Sequence, residues 1–142
     1  MPKDQSFSAA EREAMQDRAK ELKAQKGTGK KDAQLKDMME KIDAMPNEEK
    51  AMALRLHELV MAAGPELEPK TWYGMPAWTS GGKTILFFQA PSKWGSRYAT
   101  LGFDERANLD DGEMWATSFA ITKLTPEVEK TITQLVKRAV SS

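Results

Sequence analysis

Apolar residues recur at helical spacing in two long segments of the chain. Within residues 47–63, and again after Thr125-Pro126, they stand three, four or seven positions apart, which places them on one side of an α-helix. They are Met52, Leu56, Leu59, Val60 and Ala63 in the first segment and Val128, Ile132, Leu135, Val136 and Ala139 in the second. We therefore predict two amphipathic helices that each bury one face against a core.

The residues before Pro46 predict two further helices. Ser8 and Glu11 form a capping box, in which each side chain satisfies a free backbone N–H of the other residue, so a helix is expected from there to about residue 25. Its apolar stripe is thin. The Gly27-Thr28-Gly29 stretch is interpreted as a flexible linker, and the next helix is expected over about residues 32–44.

Strand-forming residues are concentrated in the middle of the chain. Of the eleven aromatic residues, only Phe7 precedes Trp72, so the sheet is expected after that point. The predicted strands are Thr71–Trp78, Thr84–Ala90, Arg97–Phe103 and Ser118–Thr122. The paired glycines of Ser80-Gly81-Gly82-Lys83 suit a tight hairpin between the first two. Gly74 and Pro76 predict a kink in the first strand, at a sheet edge or a bulge.

These elements together predict an α+β fold. We expect an antiparallel sheet of about four or more strands with amphipathic helices on one face, plus an N-terminal helical hairpin. Residues 1–45 are assigned to the N-terminal helical extension and residues 46–142 to the α+β domain, and the two are expected to fold as one cooperative unit.

Composition excludes several classes of function. Lys plus Arg and Asp plus Glu each total 21, and zero net charge argues against a general nucleic-acid binder. The absence of cysteine removes disulfides and thiolate metal sites, and the single histidine excludes a multi-histidine metal site. No apolar run reaches membrane-spanning length, so we expect a cytoplasmic protein with neither nucleic acid nor membrane as partner.

A short motif adds a family resemblance. Residues 71–78 read T-W-Y-G-M-P-A-W and resemble the W/Y-G-M-P-A-aromatic signature of the YdhG-like domains, a family of largely unknown function. The strand at residues 85–90 and the Lys93-Trp94 step fit the same pattern. Residues 97–103 and 110–115 resemble the actinobacterial-type branch, which carries an N-terminal helical extension.

The resemblance implies an α+β fold with an antiparallel sheet. One branch of the family is described as frataxin-like iron chaperones, which implies ferrous iron as a possible cofactor. This chain departs from that branch in two places: Pro69-Lys70 stand where acidic residues are common, and no histidine follows the Lys93-Trp94 step.

The aromatic residues around the motif form the first candidate site. A kink at Gly74–Pro76 would expose neighbouring rings, and nearby lysine and arginine side chains would hold an anionic group. The candidate ligand-binding residues are Trp72, Tyr73, Trp78, Lys93, Trp94 and Arg97. The alternative, which we favour for Gly74 and Pro76, is a purely structural kink.

An acidic stretch forms the second candidate site. Asp110, Asp111 and Glu113 lie in a segment, residues 104–113, that carries five carboxylates, and oxygen ligands bind hard cations and, weakly, ferrous iron. A solvated acidic loop is the favoured alternative. His57 is interpreted as a partly buried structural residue.

No nucleophile–base constellation is recognisable in the sequence, so no catalytic residue is assigned. The sequence favours a non-enzymatic domain that binds a small ligand or a protein partner in an aromatic groove near the motif. The alternative hypothesis is an iron chaperone that uses residues 104–113.

Overall fold

The computed structural model describes residues 7–24 and 30–141. The helices are α1 (Ala9–Ala24), α2 (Lys30–Asp43), α3 (Asn47–Ala63), the single-turn α4 (Pro91–Trp94) and α5 (Pro126–Ala139). The strands are β1 (Glu68–Trp72), β2 (Met75–Ser80), β3 (Lys83–Gln89), β4 (Ala99–Phe103) and β5 (Ser118–Ile121). The predicted α+β fold is confirmed.

The five strands form one antiparallel sheet in the order β1-β2-β3-β4-β5, so every strand pairs with its neighbour in sequence. Gly81 and Gly82 join β2 to β3 with positive φ angles of 58° and 80°, as a primed two-residue turn requires. That hairpin was predicted. The three later strands begin and end within two residues of the predicted limits.

The predicted strand Thr71–Trp78 is wrong, because this segment is a second tight hairpin. Trp72 pairs with Met75, and the two residues between them form the turn. Tyr73 and Gly74 have φ angles of 52° and 78°, so the chain reverses there. The sequence interpretation missed this because only one of the two turn residues is a glycine.

Pro76 is consequently not at a kink. It lies near the start of β2 and pairs with Thr71 of β1, whereas pairing with β3 begins at Ala77. A proline is tolerated in such a position because its missing N–H removes no ladder hydrogen bond on the unpaired side. The sheet irregularity lies elsewhere, between Trp78 and Thr79 in the pairing of β2 with β3.

The core lies between the sheet and the two amphipathic helices. The buried apolar side chains of α3 and α5 join those of the strands in one cluster, which includes Leu56, Trp78, Phe88, Leu101 and Val136. At the surface, the Arg55 guanidinium of α3 donates to both carboxylate oxygens of Glu129 in α5, at 3.0 and 2.9 Å. These hydrogen bonds lower the pKa of the Glu129 carboxyl.

The two N-terminal helices differ in how they attach. α2 packs against β1 and β2 and contributes Met38 and Ile42 to the core cluster. α1 contacts β1 and α2 and begins with the predicted capping box: Ser8 N donates to Glu11 Oε1 at 2.8 Å, and Glu11 N donates to Ser8 Oγ at 3.0 Å. The predicted linker at residues 27–29 lies outside the described residues.

A candidate ligand cleft at one end of the sheet

A cleft of about 320 Å³ opens where the β1–β2 turn meets α4 and the connection between α2 and α3. Its apolar wall contains Met45, Pro46, Met75, Pro76, Phe88 and Trp94. The charged side chains around it are Glu13, Lys41, Glu49 and Lys93. Gly74–Pro76 of the motif and the Lys93-Trp94 step therefore line the same cleft.

The antiparallel topology explains this meeting. Ala77 of β2 pairs with Phe87 of β3, so the start of β2 and the end of β3 lie at the same end of the sheet. α4 follows β3 directly, with Pro91 in its first turn and Gly95 ending it in the left-handed conformation at φ 70°. This short turn places Lys93 and Trp94 beside the β1–β2 hairpin.

Two lysines at the cleft hold one carboxylate of α1. Lys41 Nζ lies 3.0 Å from Asp17 Oδ1, and Lys93 Nζ lies 3.5 Å from Asp17 Oδ2 and 3.6 Å from Glu13 Oε1. The Asp17 side chain is 9% exposed, whereas those of Lys41 and Lys93 are 36% and 22% exposed. Each lysine thus keeps a solvent-facing surface while it neutralises a buried anion.

A second carboxylate of α1 binds the hairpin turn itself. Glu21 Oε1 accepts from the backbone N–H of Tyr73 at 3.0 Å, and Glu21 Oε2 accepts from that of Gly74 at 3.1 Å. Arg18 Nη1 lies 3.7 Å from Glu21 Oε1, and its guanidinium stands over the Tyr73 ring. The positive φ angles of the turn are what point two successive N–H groups at one anion.

Gly74 is required at this turn for a steric reason as well. A Cβ at this position would overlap the Asp17 carboxylate and the Lys93 ammonium group. The glycine therefore lets Asp17 of α1 and Lys93 of α4 approach the turn closely.

Glu49 and Ser92 form another contact at the cleft rim. The Glu49 carboxylate accepts from the Ser92 hydroxyl and from the Ser92 backbone N–H, the latter at 3.3 Å. Because the same carboxylate binds both groups, it caps the start of α4 and ties it to α3. We interpret the pair as structural rather than as a nucleophile with its base.

Two polar groups, one in the cleft wall and one on β1, have unusual surroundings. The indole Nε1 of Trp94 is buried and, among the described residues, has no hydrogen-bond partner. Lys70 of β1 is 3% exposed. Burial lowers the pKa of its ammonium group, and the positive charges of Arg18 and Lys30 lower it further while Glu21 opposes them.

The predicted ligand-binding residues do not all share the cleft. Lys93 and Trp94 line it, and Tyr73 directly precedes its Gly74 wall. Trp72 instead packs against Tyr73 and Phe87, with ring centroids 5.0 and 5.3 Å apart. Arg97 is exposed and lies over the neighbouring Tyr98 ring at 5.1 Å.

Trp78 is a core residue with no exposed surface, so no ligand in the cleft reaches its ring. Its Nε1 donates to His57 Nδ1 at 3.1 Å, and the two rings stack. An indole N–H can only donate, so His57 is neutral with its proton on Nε2. Burial lowers the pKa of His57, against a smaller raising effect of Glu58. The prediction that His57 is partly buried is confirmed.

The acidic stretch does not form a cluster. Asp104 accepts from the backbone N–H and the guanidinium of Arg106 at 3.0 and 2.8 Å, and Asp110, Asp111 and Glu113 are exposed. Within residues 7–24 and 30–141, no group of three or more histidine or acidic side chains is placed to hold a metal ion. A role for this stretch in iron binding stays a prediction without geometric support.

Sequence reasoning missed Asp17, Glu21, Lys41 and Glu49. Their partners lie between 24 and 76 positions away in the sequence, so no local sequence pattern predicts these contacts. One signal was present: Glu13, Asp17 and Glu21 repeat every fourth residue, which places three carboxylates on one side of α1.

Comparison of the chain with protein-family models, with curated proteins and with solved structures finds no match. The resemblance to the YdhG-like domains therefore stays a prediction. In the described part of the chain, none of the helices has both the length and the apolar character needed to cross a bilayer.

Proposed function

We propose that this chain is a non-enzymatic binding module whose ligand is a small organic anion with an apolar body. The site is the cleft between the β1–β2 turn, α4 and the α2–α3 connection. The observation that carries the proposal is that Lys41 and Lys93 stand at the rim of a cleft whose wall is largely apolar.

The size and lining of the cleft support this class of ligand. Its volume of about 320 Å³ falls at the lower end of the roughly 300–1,000 Å³ typical of small-molecule sites. The half-buried Trp94 offers ring surface for an apolar body, and Met45 and Pro46 add apolar surface beside it.

Binding is favoured over catalysis by the groups present. Among the described residues that line the cleft, Ser92 has the one hydroxyl group, and it is held by a carboxylate that also caps α4. Lys41 and Lys93 are both held in ion pairs with Asp17. Such lysines attract anions but are poor nucleophiles.

Titration calorimetry with three probes tests the proposal. Phenylacetate combines a carboxylate with a ring, acetate lacks the ring, and benzylamine reverses the charge. We expect saturable binding of phenylacetate, much weaker binding of acetate and none of benzylamine. Lys93→Gln should weaken phenylacetate binding about tenfold, the loss expected for one charge-assisted hydrogen bond.

The matched control is Lys83→Gln, which makes the same change at the exposed first residue of β3 and should leave the affinity unchanged. Equal losses of phenylacetate affinity in the two variants would show that the interaction is non-specific charge attraction. Binding that is unaffected by Lys93→Gln would place the ligand elsewhere and overturn the proposal.

A further inference from the structure

The buried face of α1 is charged rather than apolar. Within residues 9–22 of this helix, the buried side chains are Ala14, Asp17 and Glu21, whereas Met15 and Leu22 are 42% and 45% exposed. Positions 14, 17 and 21 lie on one side of a helix. α1 therefore attaches to the rest of the chain through carboxylates, in contrast to α2, which contributes Met38 and Ile42 to the core.

The groups that donate hydrogen bonds to these two carboxylates lie outside α1, while Arg18 pairs with Glu21 from within the helix. Asp17 is held by Lys41 of α2 and Lys93 of α4, and Glu21 by the backbone N–H groups of Tyr73 and Gly74. Two lysines and two convergent amides would bind any oxyanion in the same way. Asp17 and Glu21 of α1 thus occupy positions in which these lysines and amides would neutralise the carboxylate of a ligand.

We propose that α1 is a displaceable inhibitory segment, whose Asp17 carboxylate occupies the anion position of the cleft and competes with the ligand. The inference rests on the proposed function, since it concerns the same lysines. A small organic anion that takes Lys41 and Lys93 releases Asp17, and α1 loses the attachment that this carboxylate provides.

The charged attachment makes α1 suited to this exchange. Ion pairs with partly exposed lysines contribute little net stability, and segments that bury few apolar contacts open first in native proteins. A ligand that binds the open form has an apparent affinity equal to its affinity for that form multiplied by the fraction of molecules that are open. Weakening the hold of α1 therefore tightens ligand binding.

Asp17→Asn tests the competition. It removes the charge that Lys41 and Lys93 neutralise while it keeps the size of the side chain. We expect phenylacetate to bind this variant at least about fivefold more tightly than the wild type, the lower limit of typical coupling between sites. Glu105→Gln, a carboxylate-to-amide change in an exposed turn, is the control and should leave the affinity unchanged.

Amide hydrogen exchange provides a second readout on the wild-type protein. Saturating phenylacetate should speed exchange in residues 9–24 and leave the core strands protected. Phenylacetate binding with equal affinity to the wild type and Asp17→Asn, together with unchanged exchange in α1, would overturn the inhibitory role and leave the proposed function standing. Absence of binding to both proteins would overturn both.

Discussion

Replacement of Trp78 by phenylalanine tests whether the Trp78–His57 pair is a structural element of the core. The side chain is fully buried, and its one polar group is bound by His57 Nδ1 at 3.1 Å. The loss of that hydrogen bond should cost about 1 kcal/mol. The void left by the smaller ring should add about 1–2 kcal/mol, since complete truncation of a buried tryptophan costs about 3–5 kcal/mol.

The free energy of unfolding should therefore fall by about 2–3 kcal/mol in Trp78→Phe. Urea denaturation followed by circular dichroism measures it, with an unchanged dependence on denaturant concentration. Trp115→Phe is the matched control: Trp115 is 39% exposed, and its replacement should change the free energy by less than about 0.5 kcal/mol. A Trp78→Phe loss no larger than that of the control would refute the assignment of Trp78 to the core.

Two further substitutions test the pKa of His57 and the packing of Gly74. Burial lowers the pKa of His57 in the folded protein, whereas in the unfolded chain this pKa is about 6.5. Just below pH 6.5 the unfolded chain therefore binds more protons than the folded protein, and the free energy of unfolding should fall as the pH drops through that value of about 6.5. This dependence should vanish in His57→Gln, and its persistence in equilibrium unfolding would contradict the assignment. Gly74→Ala should destabilise by about 1–2 kcal/mol through its positive φ angle alone, and more because the added methyl group meets Asp17 and Lys93. Gly112 has a similar φ angle of 68° but no atoms close to an added Cβ, so Gly112→Ala measures the backbone cost alone. Equal thermal destabilisation by Gly74→Ala and Gly112→Ala would refute the close packing at Gly74.

The helices and the later strands were predictable because their signals are local. The apolar spacing within residues 47–63 and the Thr125-Pro126 start of α5 are contained in single segments. The structure places the helices at Asn47–Ala63 and Pro126–Ala139, with Thr125 Oγ1 accepting from Val128 N at 3.2 Å. A local hydrogen-bonding pattern and a local apolar stripe decide such elements.

The β1–β2 hairpin could not be read in the same way. Tyr73 adopts a left-handed φ that is costly for a non-glycine residue, and it is held there by a bond to Glu21, 52 positions earlier. A tertiary contact thus selects the turn. The sequence offered a run of strand formers and a proline, which suggested one kinked strand instead.

The candidate site was predictable in part for the same reason. Lys93 and Trp94 could be named because they form the Lys–aromatic step that accompanies the motif. Lys41 instead reaches the cleft from α2, where it is paired with Asp17 of α1. Trp78 was misassigned because alternation along a strand does not reveal which face is covered. Its contact with α3 settles that it belongs to the interior.

Intermolecular nuclear Overhauser effects between phenylacetate and the protein test the central claim most directly. Our account predicts contacts from the ring protons of the ligand to the Met45 methyl group and to the ring of Trp94. Contacts confined to exposed side chains elsewhere, such as Met114 or Trp115, would contradict the assignment of the cleft as the ligand site.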